Sequence, residues 1–386
     1  MKGPEALKRW SFMALLALSL PGIAPVGAED GGTASDGRLL TEARKMTRLE
    51  GLPAAKAHLL SQLPAMDDSG GSLERRVIRT TADPGLILPD SLAAMSFSRR
   101  QRTAIAIIPG TRAGNQNSRD RTRECLQGAA AQSRAMGFDT HFLLTEPRGT
   151  IEQNADLVAR QMSGIFAGSD TVIILMLSKG AHDVIHYLQH GAMELPAAQR
   201  RKLVAVISLA GTVQGSVVAE WLVTSRRPLA TMTRSWLTLS GQADAIEMLR
   251  SIGESPWQSE TTGKMASLFP RLTWVSIAMV PDGPDGRIRE RLWSPFLRSR
   301  IEKCAPLYSP TDGLVESAAS VLPETVRVPE WIVAAYGSHA MPNGAYRDGS
   351  PIAPQTTRPG REKLEPETGG EVISAYLRAL PQSLLK

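Results

Sequence analysis

A serine directly follows a run of aliphatic residues in the stretch TVIILMLSKGAHDV, residues 171–184. Ser178 ends the run, Gly180 stands two residues later, and a helical pattern begins there. A strand that turns sharply into a helix exposes a serine hydroxyl at the edge of a sheet, and small residues must flank the strained turn. Gly180 meets this requirement, whereas Met176 stands two residues before the serine, where the pattern G-x-S-x-G has glycine. The stretch therefore indicates a nucleophilic serine, with one departure.

A serine hydroxyl becomes a good nucleophile beside a base, and the base needs a carboxylate to orient it. His339 is the candidate base, because it follows the apolar run at 331–335 and precedes the last helical pattern of the chain. Asp312, in SPTDGLV, and Asp282, in VPDG, are both candidates for the carboxylate. Each Asp-Gly pair could equally be ordinary turn chemistry. The order serine, aspartate, histidine suits this chemistry on a wound parallel sheet.

The helical pattern after Ser178 also contains histidines at metal-binding spacing. His182 and His186 lie four residues apart on one helical face, and His190 follows one turn later. Two histidines at this spacing can bind zinc, as in the motif H-E-x-x-H. Here the acid beside the first histidine is Asp183, which is shorter than glutamate, and such a site does not need the tight turn. We expect no metal and no cofactor, and keep a zinc hydrolase using His182 and His186 as an alternative.

The rest of the chain alternates between short apolar runs and helical patterns. Strands are predicted at residues 104–108, 138–144, 171–177, 203–209, 272–280 and 331–335, and helices at 119–136, 151–166, 179–190 and 371–380. This alternation predicts an α/β fold, with a mostly parallel sheet and helices on both of its faces. Ligands bind such sheets at the carboxyl ends of the strands, which is where Ser178 lies.

A long connection separates the strands at 203–209 and 272–280. It is longer than a simple connection should be, and it contains Trp221, Trp236 and Trp257 among helical patterns. We expect a helical cap inserted at residues 212–268, over the site. Helices that merely cover the sheet are the alternative interpretation.

The first 28 residues have the features of a secretory signal. A positive segment precedes the apolar residues 11–20, and small residues at 26–28 suit a signal peptidase. Ten apolar residues are too few to span a bilayer, and no later stretch predicts a membrane helix. We therefore expect export to the periplasm or the medium. Residues 29–100 are expected to form an N-terminal extension that packs on the main domain, residues 101–386.

Composition excludes several classes of protein. With 42% hydrophobic residues in 386, the chain can form a sizeable core. A formal net charge of +6 is too mild and dispersed to indicate nucleic-acid binding. Cys125 and Cys304 are the only cysteines, and their spacing leaves open whether they form a disulfide. The sequence does not indicate an oligomeric state.

Together these motifs resemble the α/β-hydrolase superfamily, particularly its bacterial secreted lipases and esterases. The segment IIPGT at 107–111 is similar to the oxyanion strand and loop, although the family usually has His-Gly where this chain has Pro-Gly. VISLAGT at 206–212 is similar to the strand and loop after the nucleophile helix, and TDGLV at 311–315 to the acid motif of lipases. The resemblance covers roughly residues 103–380, and it favours Asp312 over Asp282.

The resemblance implies a serine hydrolase that cleaves carboxylic esters through an acyl-enzyme. Ser178 would be the nucleophile, His339 the general base and Asp312 its orienting acid. The backbone N–H of Lys179 follows from the turn itself as an oxyanion donor, and that of Thr111 follows from the resemblance. The partner would be a small-molecule or lipid ester. A catalytically silent binding protein with the same fold is the alternative that Met176 favours.

Overall fold

The computed structural model describes residues 37–83, 85–111, 121–226, 228–239, 243–281, 283–287, 309–337, 339 and 366–385. Their strands are β1 (Thr103–Ile108), β2 (Asp139–Phe142), β3 (Thr171–Leu177), β4 (Leu203–Leu209), β5 (Thr273–Val280) and β6 (Glu330–Tyr336). They form one parallel sheet in the order β2-β1-β3-β4-β5-β6. The predicted α/β fold is confirmed, and the predicted strand boundaries agree with the observed ones to within two residues.

Helices lie between the strands and at both ends of the described chain. They are α1 (Arg38–Glu50), α2 (Leu52–Met66), α3 (Ser72–Ala82), α4 (Phe97–Gln101), α5 (Arg121–Ala135), α6 (Ile151–Gly168), α7 (Gly180–Gln189), α8 (Ala197–Arg200), α9 (Val217–Thr224), α10 (Pro228–Leu239), α11 (Ala243–Gly253), α12 (Ser259–Thr262), α13 (Met265–Leu268) and α14 (Pro366–Ala379). None of these described helices is both long and apolar enough to cross a bilayer.

The sheet is covered on both faces, because its strands carry apolar residues at nearly every position. β1 and β4 are buried along their whole length. On one face Ile105, Ile107 and neighbouring strand residues pack with α5 and α14. On the other face Ala106, Ile174 and their neighbours pack with α6 and α7. Strands buried on two faces lack an alternating pattern, which is why short continuous apolar runs predicted them.

The N-terminal helices pack against the β6 end of the sheet. Leu40 of α1 and Leu59 of α2 belong to the same buried cluster as Val280 of β5 and Ile332 of β6. In the loop after α2, one Asp68 carboxylate oxygen accepts the Glu330 N–H at 2.7 Å, and an Asp67 oxygen accepts the Ile332 N–H at 3.0 Å. These aspartates satisfy backbone groups that an edge strand would otherwise leave unpaired.

The connection between β4 and β5 has two different parts. Residues of α9 and α11 form a small cluster with Ile151 at the start of α6. Further along, Trp257, Met265 and Phe269 pack on the sheet with Trp274 of β5. The second part therefore covers a face of the sheet. Of the cap expected at residues 212–268, only the first part, with α9 and α11, is left as a candidate.

Three of the sequence expectations concern residues outside those described. These are the secretory signal at 1–28, the alternative acid Asp282, and the disulfide, because neither Cys304 nor the side chain of Cys125 is among them.

Candidate active site

Ser178 lies in a strained turn between β3 and α7. Its φ of 54° places it in the left-handed region, which residues other than glycine rarely adopt. The turn is fixed from the neighbouring strand, because the Ser178 N–H donates to the Leu209 carbonyl at 3.1 Å. The Ser178 carbonyl accepts the Thr212 N–H at 3.2 Å. The strain is therefore balanced by the end of β4 and the loop that follows it.

Two glycines allow the turn to approach β1 closely. A Cβ atom on Gly180 would lie 2.8 Å from the Pro109 carbonyl oxygen, and a Cβ on Gly110 would lie 3.0 Å from the Ser178 Cβ. The first distance is shorter than real Cβ contacts, so position 180 requires glycine, and the second is tight enough that a side chain at position 110 would force Ser178 or its neighbours to shift. A side chain is tolerated at position 176, because that of Met176 is fully buried in the core beneath α6 and α7. The departure from the glycine pattern is thus accommodated within the core.

Ser178, His339 and Asp312 form one hydrogen-bonded series. The Ser178 Oγ lies 2.7 Å from His339 Nε2, and His339 Nδ1 lies 2.8 Å from Asp312 Oδ2. The carboxylate accepts, so Nδ1 carries the proton and Nε2 is free to accept from the serine hydroxyl. Asp312 is fully buried and His339 is 9% exposed. The structure thus brings together three side chains that the sequence analysis had selected separately.

The loop that carries Asp312, residues 309–317, is held by hydrogen bonds along its length. The other oxygen of Asp312 accepts the N–H groups of Leu314 at 2.9 Å and Val315 at 2.8 Å. At the end of the loop, the Ser317 hydroxyl donates to the Met279 carbonyl of β5 at 2.6 Å. His339 also contacts this loop through its backbone, because its main-chain N–H donates to the Asp312 carbonyl at 2.9 Å. The acid and the imidazole are therefore positioned by one another and by β5.

The two predicted oxyanion donors flank Ser178. Lys179 follows it directly, and Thr111 follows Gly110, whose backbone lies against the serine. Within the described part of the chain, neither the Lys179 N–H nor the Thr111 N–H donates a hydrogen bond. Their role as oxyanion donors stays a prediction.

The side chain of Lys179 has a separate structural role. It is 2% exposed, and its Nζ donates to the two oxygens of the buried Asp183 at 2.7 and 2.9 Å. Burial raises the pKa of Asp183 to about 6, although the Lys179 ammonium acts in the opposite direction. This ion pair connects the turn at Ser178 to the first turn of α7. The Lys179 ammonium is thereby engaged, so the backbone N–H is the part of Lys179 that could contact a substrate.

The structure gives no support to the zinc alternative built on His182 and His186. His182 is buried, with Nε2 3.0 Å from the Glu254 carbonyl and Nδ1 2.7 Å from the Thr212 hydroxyl. A carbonyl can only accept, so Nε2 donates to it and Nδ1 accepts from Thr212. Burial also lowers the pKa of His182 to about 4. Both ring nitrogens are therefore engaged, and the described residues contain no group of three or more potential metal ligands.

Two contributors to the site's geometry were not selected from the sequence. Thr212 lies in a segment quoted for its resemblance, yet nothing local indicated that its N–H would hold the Ser178 carbonyl. Glu316, at the end of the acid loop, is 1% exposed and paired with Arg44 of α1. Arg44 and Glu316 are 272 residues apart, so no local pattern links them.

Comparisons with known proteins gave structural similarities only. No family profile matches the chain, and no curated protein matches it. The metagenomic carboxyl esterase MGS0156 is 17% identical with a TM-score of 0.49, over 82% of this chain and 93% of that one. The mature lipase BlEst2 of Bacillus licheniformis is 16% identical, with a TM-score of 0.39 over 62% and 85%. The phospholipase PlaB of Legionella pneumophila is 13% identical, with a TM-score of 0.35 over 57% and 45%.

The identities are too low to indicate a substrate, so the assignment depends on the chain's own architecture. A parallel sheet covered by helices on both faces presents a strained serine turn at the carboxyl end of β3, between strand and helix. Serine, aspartate and histidine follow one another in the order that this superfamily uses. By these features the chain has the α/β-hydrolase fold.

Proposed function

We propose that the protein is a serine hydrolase that cleaves carboxylic esters through an acyl-enzyme on Ser178. The observation that carries the proposal is the hydrogen-bonded series of Ser178, His339 and Asp312, with contacts of 2.7 and 2.8 Å. Nucleophile, base and orienting acid are all within the range that proton transfer requires.

The reaction would begin when the Ser178 Oγ attacks the ester carbonyl carbon and its proton passes to His339 Nε2. Asp312 holds the Nδ1–H and stabilises the imidazolium that forms. The N–H groups of Lys179 and Thr111 donate to the carbonyl oxygen as it becomes negative. Collapse of the intermediate expels the alcohol, which takes its proton from His339. Water then attacks the acyl-enzyme and gives a proton to His339. The bond between the acyl group and the Ser178 Oγ breaks, the Oγ takes the proton back from His339, and the carboxylic acid is released.

The helices α9 to α11 would form a cap beside this site. Ser216, directly before α9, accepts the Ala219 N–H and donates through its hydroxyl to the Leu314 carbonyl in the acid loop. The first cap helix is thus attached next to Asp312. These helices carry apolar residues, among them the exposed Met232, and an apolar cap would suit an apolar acyl group. A small-molecule or lipid ester is therefore the proposed substrate.

Export remains a proposal that the features of residues 1–28 support. A positive segment, a short apolar run and small residues at a cleavage position are what a signal peptidase recognises. An ester hydrolase outside the cytoplasm would meet environmental or envelope esters.

The test combines a fluorescent alkylphosphonate with hydrolysis of p-nitrophenyl esters from acetate to dodecanoate. The wild-type protein should be labelled once, and Ser178→Ala should lose the label and about 10⁴-fold or more of the turnover. Ser61→Ala, at an exposed position of α2, is the matched control and should behave like the wild type. Folded wild-type protein that neither reacts with the phosphonate nor hydrolyses any ester would contradict the proposal and favour a silent binding protein.

A further inference from the structure

We infer that Arg44 is a positioning residue for the active site, and that it acts through Glu316 on the loop that carries Asp312. The N-terminal helices would then be part of the catalytic scaffold. This inference rests on the proposed function, because it assigns Arg44 a role in the reaction of the same Ser178, His339 and Asp312.

The Arg44–Glu316 pair is partly buried and has two-pronged geometry. Arg44 Nη2 lies 2.6 Å from Glu316 Oε2, and Arg44 Nε lies 3.1 Å from Oε1. The Arg44 side chain is 18% exposed and that of Glu316 is 1% exposed. A planar guanidinium that meets a carboxylate in this way fixes its orientation as well as its charge.

Glu316 closes the stem of the acid loop. Its Oε1 also accepts the Ser309 hydroxyl at 2.7 Å, so the side chain joins the first residue of the loop to the end of it. Thr311 and Glu316 form an isolated antiparallel bridge, and the Ser317 N–H donates to the Pro310 carbonyl at 2.8 Å. Asp312 lies between these contacts. A movement of Glu316 would therefore be transmitted to Asp312.

Removal of Arg44 would leave the Glu316 carboxylate buried without its cation. A buried carboxylate in that state either takes up a proton or moves toward water. Either change disturbs the bond with Ser309 and the stem of the loop, and thus the contact between Asp312 and His339. Small displacements of such groups reduce rates strongly, while substrate binding is unaffected because neither Arg44 nor Glu316 would contact the ester.

The experiment measures kcat per active site, titrated with the phosphonate, together with KM. Arg44→Met should lower kcat about 10- to 100-fold with little change in KM. Arg44→Lys should recover part of the loss, because a single charge remains. Arg44→Met combined with Glu316→Gln should be more active than Arg44→Met alone, because no unpaired charge is buried.

Arg76→Met is the matched control. Arg76 also joins the N-terminal helices to a carboxylate by two contacts, to Asp90 at 2.8 and 3.0 Å, but away from the acid loop. The Arg76→Met substitution should leave kcat per titrated site unchanged. Equal loss in Arg44→Met and Arg76→Met, or wild-type kcat in Arg44→Met, would overturn the inference while the proposed function stood.

If Arg44→Met yields no folded protein, the Glu316→Gln variant alone tests the inference. It keeps an acceptor for Ser309 but removes the charged pair, so it should lower kcat and leave KM unchanged. Wild-type kcat in that variant would overturn the inference. An unlabelled and inactive wild type would instead be a failure of the proposed function.

Discussion

Ser178 is held in a conformation that its own side chain disfavours. A non-glycine residue in the left-handed region costs about 1–3 kcal/mol, and the surrounding structure must compensate. Here the compensation comes from Leu209 and Thr212, which bind the backbone of the serine from the neighbouring strand and its loop. The result is a hydroxyl fixed at the end of a rigid strand, in contact with His339, before any substrate binds.

Asp312 offers the most direct test of the proposed proton transfer. Asparagine at this position could still accept the N–H groups of Leu314 and Val315, so the loop should remain folded. However, its amide group would face His339 Nδ1 as a donor and favour the tautomer that carries the proton on Nε2. We therefore expect Asp312→Asn to reduce kcat about 10⁴-fold with little loss of stability. Parallel ester hydrolysis and urea unfolding check this, and a kcat within tenfold of the wild type would contradict it.

At the scale of single residues, sequence reasoning selects a side chain only where its chemistry is tied to local context. Ser178 was selected by the strand before it and Gly180 after it, and His339 by its place after a strand. Asp312 and Asp282 were equivalent on local grounds, and only the resemblance separated them. Arg44 carried no signal at all, because its partner is distant in the chain and an arginine in a helix is usually solvated.

At the scale of elements, the strands were predictable because burial on two faces leaves unbroken apolar runs. β6 shows the limit of this reasoning. It was predicted to begin at Trp331, yet it begins at Glu330, a charged residue type that normally indicates the end of a buried strand. Glu330 is 6% exposed, and its Oε1 accepts the Ser276 hydroxyl at 2.5 Å and the Leu322 N–H at 2.9 Å. Its side chain satisfies buried donors, which a hydropathy pattern does not reveal.

Glu330 should also make stability depend on pH. Burial raises its pKa to about 8, so the native protein keeps this proton up to about pH 8, whereas the unfolded chain loses it near the ordinary value of 4.5. The free energy of unfolding contributed by Glu330 is therefore present at low pH and lost as pH rises through this window. Glutamine at position 330 cannot titrate. Between pH 5 and pH 8 the free energy of unfolding of Glu330→Gln should therefore rise by about 4 kcal/mol relative to that of the wild type.

Urea unfolding of both proteins at pH 5, 6.5 and 8 measures this difference. Glu247→Gln is a suitable control, because Glu247 is exposed on α11, where its carboxylate pairs with its helical neighbour Arg250. A difference between Glu330→Gln and the wild type that stays constant with pH would show that Glu330 is ionised in the folded state.

At the scale of the whole molecule, the N-terminal helices complete the sheet. They bury Val280 and Ile332, and the loop after them satisfies the outer backbone of β6. The sequence predicted an extension that packs on the domain, but it did not indicate where. Periodicity identifies the apolar face of a helix but not its partner, and here the partner is formed by strands more than two hundred residues later.

Removal of α1 and α2 should therefore affect the entire protein. A chain that begins at Gly71 would expose the apolar cluster at β5 and β6, together with the N–H groups of an edge strand. We expect such a chain to aggregate during size-exclusion chromatography. In the full chain, Asp67→Ala with Asp68→Ala keeps the helices but removes the acceptors of the Glu330 and Ile332 N–H groups, together with the local contacts of Asp67 with Ser69 and Gly71. This variant should lose roughly 2–6 kcal/mol of unfolding free energy and remain monodisperse. A soluble, fully active truncated chain would contradict this account.

The distance in sequence between Arg44 and Glu316 has a consequence for biosynthesis. A ribosome that adds about 5–20 residues per second needs roughly 15 to 50 s to make the 272 residues that separate them. Throughout that interval α1 has been made, but the carboxylate that receives its arginine has not. During that interval the nascent N-terminal helices cannot bury Leu40 and Leu59 against Val280 and Ile332. We therefore expect chaperones to bind these helices until the last third of the chain has been made.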